Sequence, residues 1–433
     1  MKLCRFSEPD YLNVVDDLVN RANLDLYTQD ETVRKILNDV KIKGDEAVLH
    51  LTHHYDRHSL ALEQIRVTAD EIKAAYKELK EGELNALREA AKRIRLFHER
   101  QRQDSWTYQD AGITLGQMVR PIEVAGIYVP GGKASYPSSV LMNAIPAKVA
   151  GVKRVIMCSP FPEGKTRPHV LVAADLAGVI EIFKIGGAQA VAAMAFGTDT
   201  IPRVDKIVGP GNIFVALAKR MVFGMVDIDM IAGPSEILIV ADSSANPAFV
   251  AADLLSQAEH DEDAVPILVT PDENLAEEVQ KELKSQVKTL SKRAIAEASL
   301  ENNCCLLVTD TLEEAVNMAN AIAPEHLELS IENPEKWAEK VKNAGAVFIG
   351  HYTPEAMGDY LAGPNHVLPT SGTARFSSPL GVYDFIKRTS LISYTKEALK
   401  NCGKTVTMLA EMEDLGAHAK SVKLRLDEPE KKS

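Results

Sequence analysis

Lys206-Ile-Val-Gly-Pro-Gly-Asn212 is an apolar strand pattern that ends in a glycine-bearing turn and runs directly into the small-residue helical segment 213–223. The same order of strand, glycine turn and helix occurs at Gly126-Ile-Tyr-Val-Pro-Gly-Gly132 and at Ile182-Phe-Lys-Ile-Gly-Gly187. This order is typical of α/β units. Because helix N-termini present free amides and the positive end of the helix dipole, such turns could together hold a dinucleotide pyrophosphate. None of them is G-x-G-x-x-G, so the pattern predicts an open α/β sheet with a ligand-binding edge and does not name the cofactor.

A second α/β block follows the first along the chain. Its strands and helices are predicted at 237–241, 247–259, 265–270, 273–296, 305–309, 311–322 and 346–349. The first 110 residues are instead charged and repeatedly amphipathic, which predicts helices that each pack one face on another element. After about residue 375 the pattern changes to an apolar segment at 385–395, a short helix near 405–415 and a charged tail.

The composition is that of an ordinary globular protein, with 433 residues of which 45% are hydrophobic and 25% charged. This length suggests about two or three domains. Lys plus Arg (49) against Asp plus Glu (61) gives 49 − 61 = −12. Nucleic acid is therefore an unexpected partner, because binding to a phosphate backbone relies on clustered positive charge.

The chain carries no pattern that predicts export or membrane insertion. Its most apolar long stretch, 169–197, contains Asp175, Glu181 and Lys184, so no membrane partner is expected. The five cysteines are scattered without C-x-x-C spacing, and the N-terminal residues lack the apolar run of a secretory signal. These features predict a reduced, cytoplasmic protein.

Gln257 and His260 lie three residues apart at the end of the apolar helix pattern Ala251-Ala-Asp-Leu-Leu-Ser-Gln-Ala-Glu-His260. This spacing places both side chains on one helix face, as in metal sites built on helices. The alternative is a histidine that only interacts with the helix dipole at the C-terminal turn. The spacing leaves both interpretations open.

Glu325 and His326 are adjacent titratable groups that follow a proline between two apolar segments. A fixed loop that presents both groups would suit proton abstraction and water activation. The alternative is a helix end that carries exposed polar residues. Spacing alone does not decide between the two.

Two further segments contain possible metal ligands. Asp359 and His366 lie in the glycine- and proline-rich sequence Gly358-Asp-Tyr-Leu-Ala-Gly-Pro-Asn-His366, and His418 lies near the C-terminus. Together with Gln257 and His260, Asp359 and His418 would give zinc two nitrogen and two oxygen ligands, although manganese or cobalt could take the same set.

Several sequence blocks, taken in order, resemble histidinol dehydrogenases. The blocks are Gly209-Pro-Gly-Asn212, Ala232-Gly-Pro-Ser-Glu236, Leu255-Ser-Gln-Ala-Glu-His260, Pro324-Glu-His326, Gly363-Pro-Asn-His-Val-Leu-Pro369, Gly372-Thr-Ala-Arg-Phe-Ser-Ser378, Val382-Tyr-Asp-Phe385 and Ala417-His418. Each block alone is a weak signal, but their order and spacing are specific. The resemblance extends from about residue 20 to about residue 425.

The resemblance implies NAD-dependent oxidation of L-histidinol to L-histidine, the last step of histidine biosynthesis, by a zinc-containing homodimer with shared active sites. It implies one zinc ion per subunit, bound by Gln257, His260, Asp359 and, from the other subunit, His418. The implied substrate contacts are Ser235, Gln257, His260, His326, Asp359, Glu413 and His418. The implied NAD contacts are Tyr128, Gln189 and Asn212. In this family pattern His326 is the general base and Glu325 activates water.

The same resemblance implies an α/β fold of two incomplete Rossmann-like domains with small N- and C-terminal segments, intertwined across a homodimer. Residues 1–25 are expected to form an N-terminal helical arm. Residues 26–125 and 236–375 are expected to form the first, discontinuous Rossmann-like domain, which carries the metal and catalytic residues. Residues 126–235 would form the second, on the NAD side, and residues 376–433 a tail that reaches the other subunit.

Three alternatives compete with this interpretation. One is a dehydrogenase of the same architecture that acts on another alcohol, such as a dihydroxypropane sulfonate. Another uses a cysteine nucleophile at Cys158, Cys304 or Cys305, although all three lie in apolar strand patterns. The third is a relative without activity. Whether His366 or Glu355 contributes to the site stays open.

Overall fold

The computed structural model describes residues 1–6, 8, 11–21, 29–131, 136–179 and 181–427. The expected boundary between residues 25 and 26 lies outside these described residues. The chain divides into two compact units, which are Met1–Gln101 with Ile122–Phe385, and Arg102–Pro121 with Ile386–Ser433. Within the described ranges, no helix is both long and apolar enough to cross a membrane.

The strands, in chain order, are β1 (Lys2–Arg5), β2 (Trp106–Asp110), β3 (Ile113–Pro121), β4 (Val124–Tyr128), β5 (Arg154–Cys158), β6 (Glu181–Phe183), β7 (Lys206–Val208), β8 (Asp227–Ile228), β9 (Glu236–Ala241), β10 (Val265–Thr270), β11 (Cys305–Val308), β12 (His326–Ser330), β13 (Ala346–Ile349) and β14 (Ile386–Tyr394).

The α-helices, in chain order, are α1 (Tyr11–Val19), α2 (Asp30–Lys43), α3 (Asp45–Asp56), α4 (Ala69–Glu78), α5 (Glu81–Glu99), α6 (Pro137–Ala150), α7 (Pro168–Leu176), α8 (Gly187–Phe196), α9 (Ile213–Val222), α10 (Pro247–Ala258), α11 (Glu273–Gln286), α12 (Arg293–Asn302), α13 (Leu312–Ile322), α14 (Pro334–Ala338), α15 (Glu355–Tyr360), α16 (Lys396–Met412) and α17 (Gly416–Leu426).

The large unit contains two parallel sheets with the same winding. The first has the strand order β6-β5-β4-β7-β8 and the second has the order β1-β11-β10-β9-β12-β13. In each sheet the chain winds outward from a central strand, β4 or β9, and then returns to continue on its other side with β7 or β12. The predicted α/β pattern in two blocks is therefore confirmed. Ligands of doubly wound sheets bind outside the carboxyl ends of the strands where the strand order reverses, which in the five-stranded sheet is between β4 and β7.

The five-stranded sheet is covered on both faces, as parallel sheets require. Successive strand residues point to opposite faces of the sheet. On one face, Ala125 and Ile127 of β4 share an apolar cluster with α4 to α7. Tyr128 packs on the other face against α2, α3, α8 and α9. The sequence grouped the helices before residue 125 with residues 236–375. In the structure, α2 to α5 pack on α6 to α9, the helices that cover this sheet.

The six-stranded sheet is also covered on both faces. Ile237 and Ile239 pack against α10, α11 and α12, whereas Leu238 and Val240 pack against α1 and α13. The expected N-terminal helical arm contains α1, but it begins with β1, which pairs in parallel with β11 at the edge of this sheet. All six residues of β9 are buried, which is typical of a central parallel strand.

The small unit is an antiparallel sheet in the order β14-β3-β2, followed by α16 and α17. Ile386 of β14 pairs with Pro121, and the register runs to Tyr394 opposite Ile113. The predicted segment at 385–395 therefore corresponds to β14. The predicted short helix near 405–415 was wrong in length, because α16 spans Lys396–Met412 and a second helix follows it.

Candidate active site

Three of the sequence motifs meet at the amino edge of the six-stranded sheet. Strand β9 begins at Glu236 and β12 begins at His326, and the register places His326 beside Ile237. Helix α10 leaves the carboxyl end of β9 and returns across the sheet, so its last turn, with Gln257, ends at the same amino edge. The predicted loop around Glu325 and His326 is in fact the start of a buried strand.

His326 is held in one orientation by the backbone of β9. Its Nδ1 lies 2.9 Å from the carbonyl oxygen of Glu236. Since a carbonyl can only accept a hydrogen bond, Nδ1 carries the proton and Nε2 of the neutral ring keeps its lone pair. Among the described residues, the buried Nε2 has no hydrogen-bond partner. An imidazole held in this tautomer can accept a proton at Nε2.

Glu325 lies beside His326 and is equally enclosed. Its Oε2 accepts the backbone N–H of Glu236 at 2.9 Å and lies 3.7 Å from Nδ1 of His326. Burial raises the pKa of the Glu325 carboxyl to about 8. Since an acceptor with a raised pKa takes protons near neutral pH, this carboxyl is suited to general base catalysis.

Gln257 and His260 are in contact, as their spacing predicted, although His260 lies in the turn that follows α10. The Nε2 atom of Gln257 lies 3.0 Å from Nδ1 of His260. Within the described part of the chain, the buried Oε1 of Gln257 has no hydrogen-bond donor. Burial lowers the pKa of His260, and the charge of Asp359 opposes that effect. A buried amide oxygen without a donor, next to a neutral imidazole and a carboxylate, is a fitting set of ligand atoms for a cation.

Asp359 and Glu355 extend from α15 towards the same point. Nε2 of His326 lies 3.7 Å from Oε1 of Glu355 and 3.9 Å from Oδ1 of Asp359. The ligand atoms of these three residues lie within 4.8 Å of one another. Among the described residues, they form the group of histidine, cysteine and carboxylate side chains that could hold a metal ion. Burial, reinforced by Asp359, raises the pKa of Glu355 well above its usual range. Ser256 donates a hydrogen bond of 2.9 Å to Glu355 and so ties α15 to α10.

The sequence left the role of Glu355 open, although a signal was present. Glu355 and Asp359 are four residues apart, which on a helix places them on one face. His366, also left open, lies with its Nδ1 3.8 Å from Oδ1 of Asp359. Burial lowers the pKa of His366. Both residues belong to the cluster.

Arg21 and Glu236 form an ion pair next to the cluster. Neither residue was predicted to contribute to the site. The guanidinium of Arg21 contacts both carboxylate oxygens of Glu236 at 2.6 Å. The same carboxylate accepts the backbone N–H of Ser371 at 3.0 Å. Glu236 thereby joins the N-terminal arm and the loop at residue 371 to the strand whose carbonyl orients His326. No sequence pattern signals a pair separated by 215 residues.

The predicted NAD contacts lie at the carboxyl edge of the five-stranded sheet. Tyr128 ends β4, and its hydroxyl accepts the backbone N–H of Gly187, the first residue of α8, at 3.0 Å. Gln189 is buried in the first turn of that helix. Asn212 caps α9 by accepting the N–H of Val215 at 3.2 Å. All three lie near the point between β4 and β7 where the strand order reverses.

Three predicted substrate or metal contacts are not among the residues that form this cluster. Ser235 immediately precedes β9, and its backbone carbonyl accepts the N–H of Val265 at 3.0 Å. Glu413 and His418 belong to the small unit, where both are exposed. Their assigned roles stay predictions.

The cysteines do not form a nucleophilic site. Cys158, Cys304 and Cys305 are all buried. Burial raises the pKa of Cys304 to about 12 and that of Cys305 to about 11, and it raises the pKa of Cys158 as well. Because the thiolate is the nucleophile, the cysteine alternative does not fit this structure.

Comparison with known proteins gives a consistent result. The histidinol dehydrogenase family model matches residues 19–426. A histidinol dehydrogenase of Syntrophotalea carbinolica is 54% identical over 98% of this chain and 99% of its own length. One from Caldanaerobacter subterraneus subsp. tengcongensis is 55% identical over 97% of this chain and 98% of its own length. The crystal structure of histidinol dehydrogenase from Elizabethkingia anophelis superimposes with a TM-score of 0.93 at 40% identity and covers 98% of each chain. With this match over nearly its full length, the chain belongs to the histidinol dehydrogenase family.

Proposed function

We propose that this chain oxidises L-histidinol to L-histidine with NAD, through bound L-histidinal, in the last step of histidine biosynthesis. The observation that carries the proposal is the orientation of His326, whose Nδ1 is held by the Glu236 carbonyl and whose buried Nε2, without a hydrogen-bond partner among the described residues, faces a cluster of ligand atoms. Family membership supports the reaction. The residues at the site support the assignment of the steps.

The proposed metal ligands are Gln257, His260 and Asp359, with His418 supplied by the other subunit. The fit rests on the buried Oε1 of Gln257, which lacks a donor among the described residues, and on the mixture of nitrogen and oxygen atoms that zinc accepts. A bound zinc ion would hold the imidazole and amine of the substrate and keep the aldehyde from leaving between the two oxidations.

In the first step, His326 takes the alcohol proton at Nε2 while a hydride leaves the same carbon. In the second step, Glu325 removes a proton from water so that the water adds to the aldehyde carbon, and the protonated His326 returns its proton to the aldehyde oxygen, which gives the diol and frees Nε2. His326 then takes the proton of the resulting diol as the second hydride leaves. NAD, when bound, accepts one hydride at each step. The enclosed position of Glu325 and His326 limits the access of bulk water to both steps.

The proposed dinucleotide site is the carboxyl edge of the five-stranded sheet, at Tyr128, Gln189 and Asn212. Its strand order supports this assignment, because dinucleotides bind where the order of a doubly wound sheet reverses. The turns at this edge provide helix N-termini for a pyrophosphate. The division of the large unit into two incomplete Rossmann-like domains belongs to the same proposal.

We also propose that the protein is a homodimer whose tail, residues 376–433, completes the other subunit's site with Glu413 and His418. The small unit carries exposed apolar side chains, among them Ile392, Met408 and Met412. Exposed apolar clusters of this kind are typical of protein interfaces. In a twofold symmetric dimer, each tail can reach the opposite subunit in the same way.

The first test is the stoichiometry of the reaction. Purified protein is expected to form two NADH per L-histidinol consumed, to lose this activity when a chelator removes the metal, and to regain it with zinc. Measurement of NADH absorbance against histidine formed gives the ratio. One NADH per substrate would mean that the aldehyde escapes and that Glu325 does not activate water. No NADH from the zinc-loaded protein would favour the dehydrogenase that acts on another alcohol.

The shared site can be tested with mixed dimers. His418→Ala and Gln257→Ala are each expected to abolish zinc binding and activity in their own homodimers. A heterodimer of the two has one site with both ligands intact and one site with neither, so about half of the wild-type activity per dimer should return. Zinc content and activity of heterodimers purified with two different affinity tags provide the measurement. Inactive heterodimers would contradict the exchange of His418 between subunits.

A further inference from the structure

The turn Gly209-Pro-Gly-Asn212 is held by a buried ion pair that no sequence motif indicated. Lys219, from the middle of α9, donates from Nζ to the carbonyl oxygen of Gly209 at 2.9 Å. Asp229, immediately after β8, accepts the N–H of Gly209 at Oδ2 at 2.7 Å. Lys219 and Asp229 also form an ion pair with each other, and their side chains are only 3% and 1% exposed. The two charges therefore satisfy both backbone polar groups of a single glycine.

Stability of the fold does not by itself explain a charged pair at this place. Removing two charges from water is costly, and apolar residues of similar volume often replace a buried ion pair without loss of stability. An apolar pair could not, however, bind the N–H and the carbonyl of Gly209 at once. What the charges add is a fixed position for the Gly209 backbone.

The end of strand β4 lies against the Gly209 backbone on the side away from Lys219 and Asp229. Its φ is +115°, and a Cβ atom at this position would lie 2.0 Å from the carbonyl oxygen of Tyr128. The glycine is thus enclosed by β4 on one side and by Lys219 and Asp229 on the others. Three residues further on, Asn212 begins α9. Gly209 therefore lies between two of the three proposed NAD contacts, Tyr128 and Asn212.

We propose that the Lys219–Asp229 pair is a positioning element of the dinucleotide site, which holds Gly209 against Tyr128 and so sets the position of Asn212. The inference rests on the proposed function, because it takes these two residues as NAD contacts. Lys219 and Asp229 themselves touch the turn and are positioning residues. Side chains held by buried supporting contacts give a binding site its geometry. In metal sites, loss of such contacts typically costs about 10- to 100-fold in affinity or activity, and we take the lower end of this range for the dinucleotide site.

The decisive variant is the double substitution Lys219→Met with Asp229→Leu. It removes both charges together and so avoids leaving one of them buried and unpaired. We expect a lower thermal unfolding temperature, because the buried N–H and carbonyl of Gly209 lose their partners, together with a rise of about tenfold in KM and Kd for NAD and a kcat at saturating NAD within about twofold. The measurements are calorimetric titration of the zinc-loaded dimer with NAD and initial rates at varied NAD.

Two single variants separate the hydrogen bond from the charge. Asp229→Asn keeps an oxygen that can accept the Gly209 N–H, whereas Asp229→Ala does not. The KM for NAD should therefore rise less with asparagine than with alanine. Equal rises in the two variants would contradict a role for this hydrogen bond.

Lys206→Met is the matched control. Lys206 begins β7, the strand that leads into the Gly209 turn. Its side chain is 8% exposed and pairs with Asp227 at 2.9 Å and with Asp384 at 3.7 Å. Its loss also removes a buried lysine ion pair, but at the edge opposite the proposed NAD contacts. The KM for NAD should stay at the wild-type value even if the unfolding temperature falls.

The outcomes distinguish the inference from the proposed function. If the wild type binds and uses NAD but the double variant shows an unchanged KM, the positioning role is refuted and the proposed function stands. If the double variant and Lys206→Met show the same pattern of KM and kcat, the pair is merely structural and the inference fails. If the wild type neither binds nor reduces NAD, both are overturned.

Discussion

Replacing His326 with alanine is expected to slow both oxidation steps by about 10²- to 10⁴-fold, the range that general acid–base catalysis contributes. The reason is that one atom, Nε2, accepts a proton in each step. Its availability follows from the hydrogen bond of 2.9 Å between Nδ1 and the carbonyl of Glu236. The variant should fold, because the strand register at residue 326 is formed by backbone hydrogen bonds.

The two steps can be measured separately by supplying either L-histidinol or L-histidinal to the His326→Ala variant and following NADH in a stopped-flow instrument. The zinc content should remain at the wild-type level, since His326 is not among the proposed ligands. His351→Ala is a suitable control, because His351 also contacts this sheet, through Ser330 at 2.9 Å, but at the carboxyl end of β12. A loss confined to one step, or a parallel loss of zinc, would contradict the role of His326 as the common base.

The sequence predicted the elements of the site better than their arrangement. Glycine turns and hydrophobic periodicity are local signals, so the α/β units and the contact between Gln257 and His260 could be predicted from short stretches. The amino-edge position of His326 could not be, because it depends on the pairing of β12 with β9, which are far apart in the chain.

Residues that act through long-range contacts were missed for the same reason. Arg21 reaches Glu236 across 215 residues, and its role depends on how the N-terminal arm packs. The packing of α2 to α5 on α6 to α9 could not be predicted, because an amphipathic pattern shows that a helix packs but not on which element. Lys219 and Asp229 look like ordinary surface charges in the sequence, and only their burial shows otherwise.

Glu325 offers the sharper test of the mechanism, because its proposed role belongs to the second oxidation alone. Glu325→Gln keeps an oxygen that can accept the N–H of Glu236, so the local structure should be preserved. The amide cannot take a proton from water. We therefore expect NADH formation from L-histidinal to fall by about 10²- to 10³-fold, whereas NADH formation from L-histidinol in the first turnover should change by less than about tenfold.

The pH dependence adds an independent prediction for this residue. Burial raises the pKa of Glu325 to about 8, and the carboxylate, which is the active base, predominates above its pKa. Oxidation of L-histidinal by the wild type should therefore increase with pH, with the midpoint of the rise near pH 8, and a cation bound beside the carboxylate would move this midpoint to lower pH. In Glu325→Gln the remaining rate should lack this rise.

Glu328→Gln provides the matched control for these measurements. Glu328 is a buried carboxyl on β12, the strand that begins directly after Glu325. Its Oε1 accepts the N–H of Glu355 at 2.7 Å, a bond that glutamine can keep. Its substitution should leave the ratio of the two half-reactions unchanged. If Glu325→Gln slows both half-reactions equally, the carboxylate does not activate water, and its contact with the Glu236 backbone would then serve to position His326.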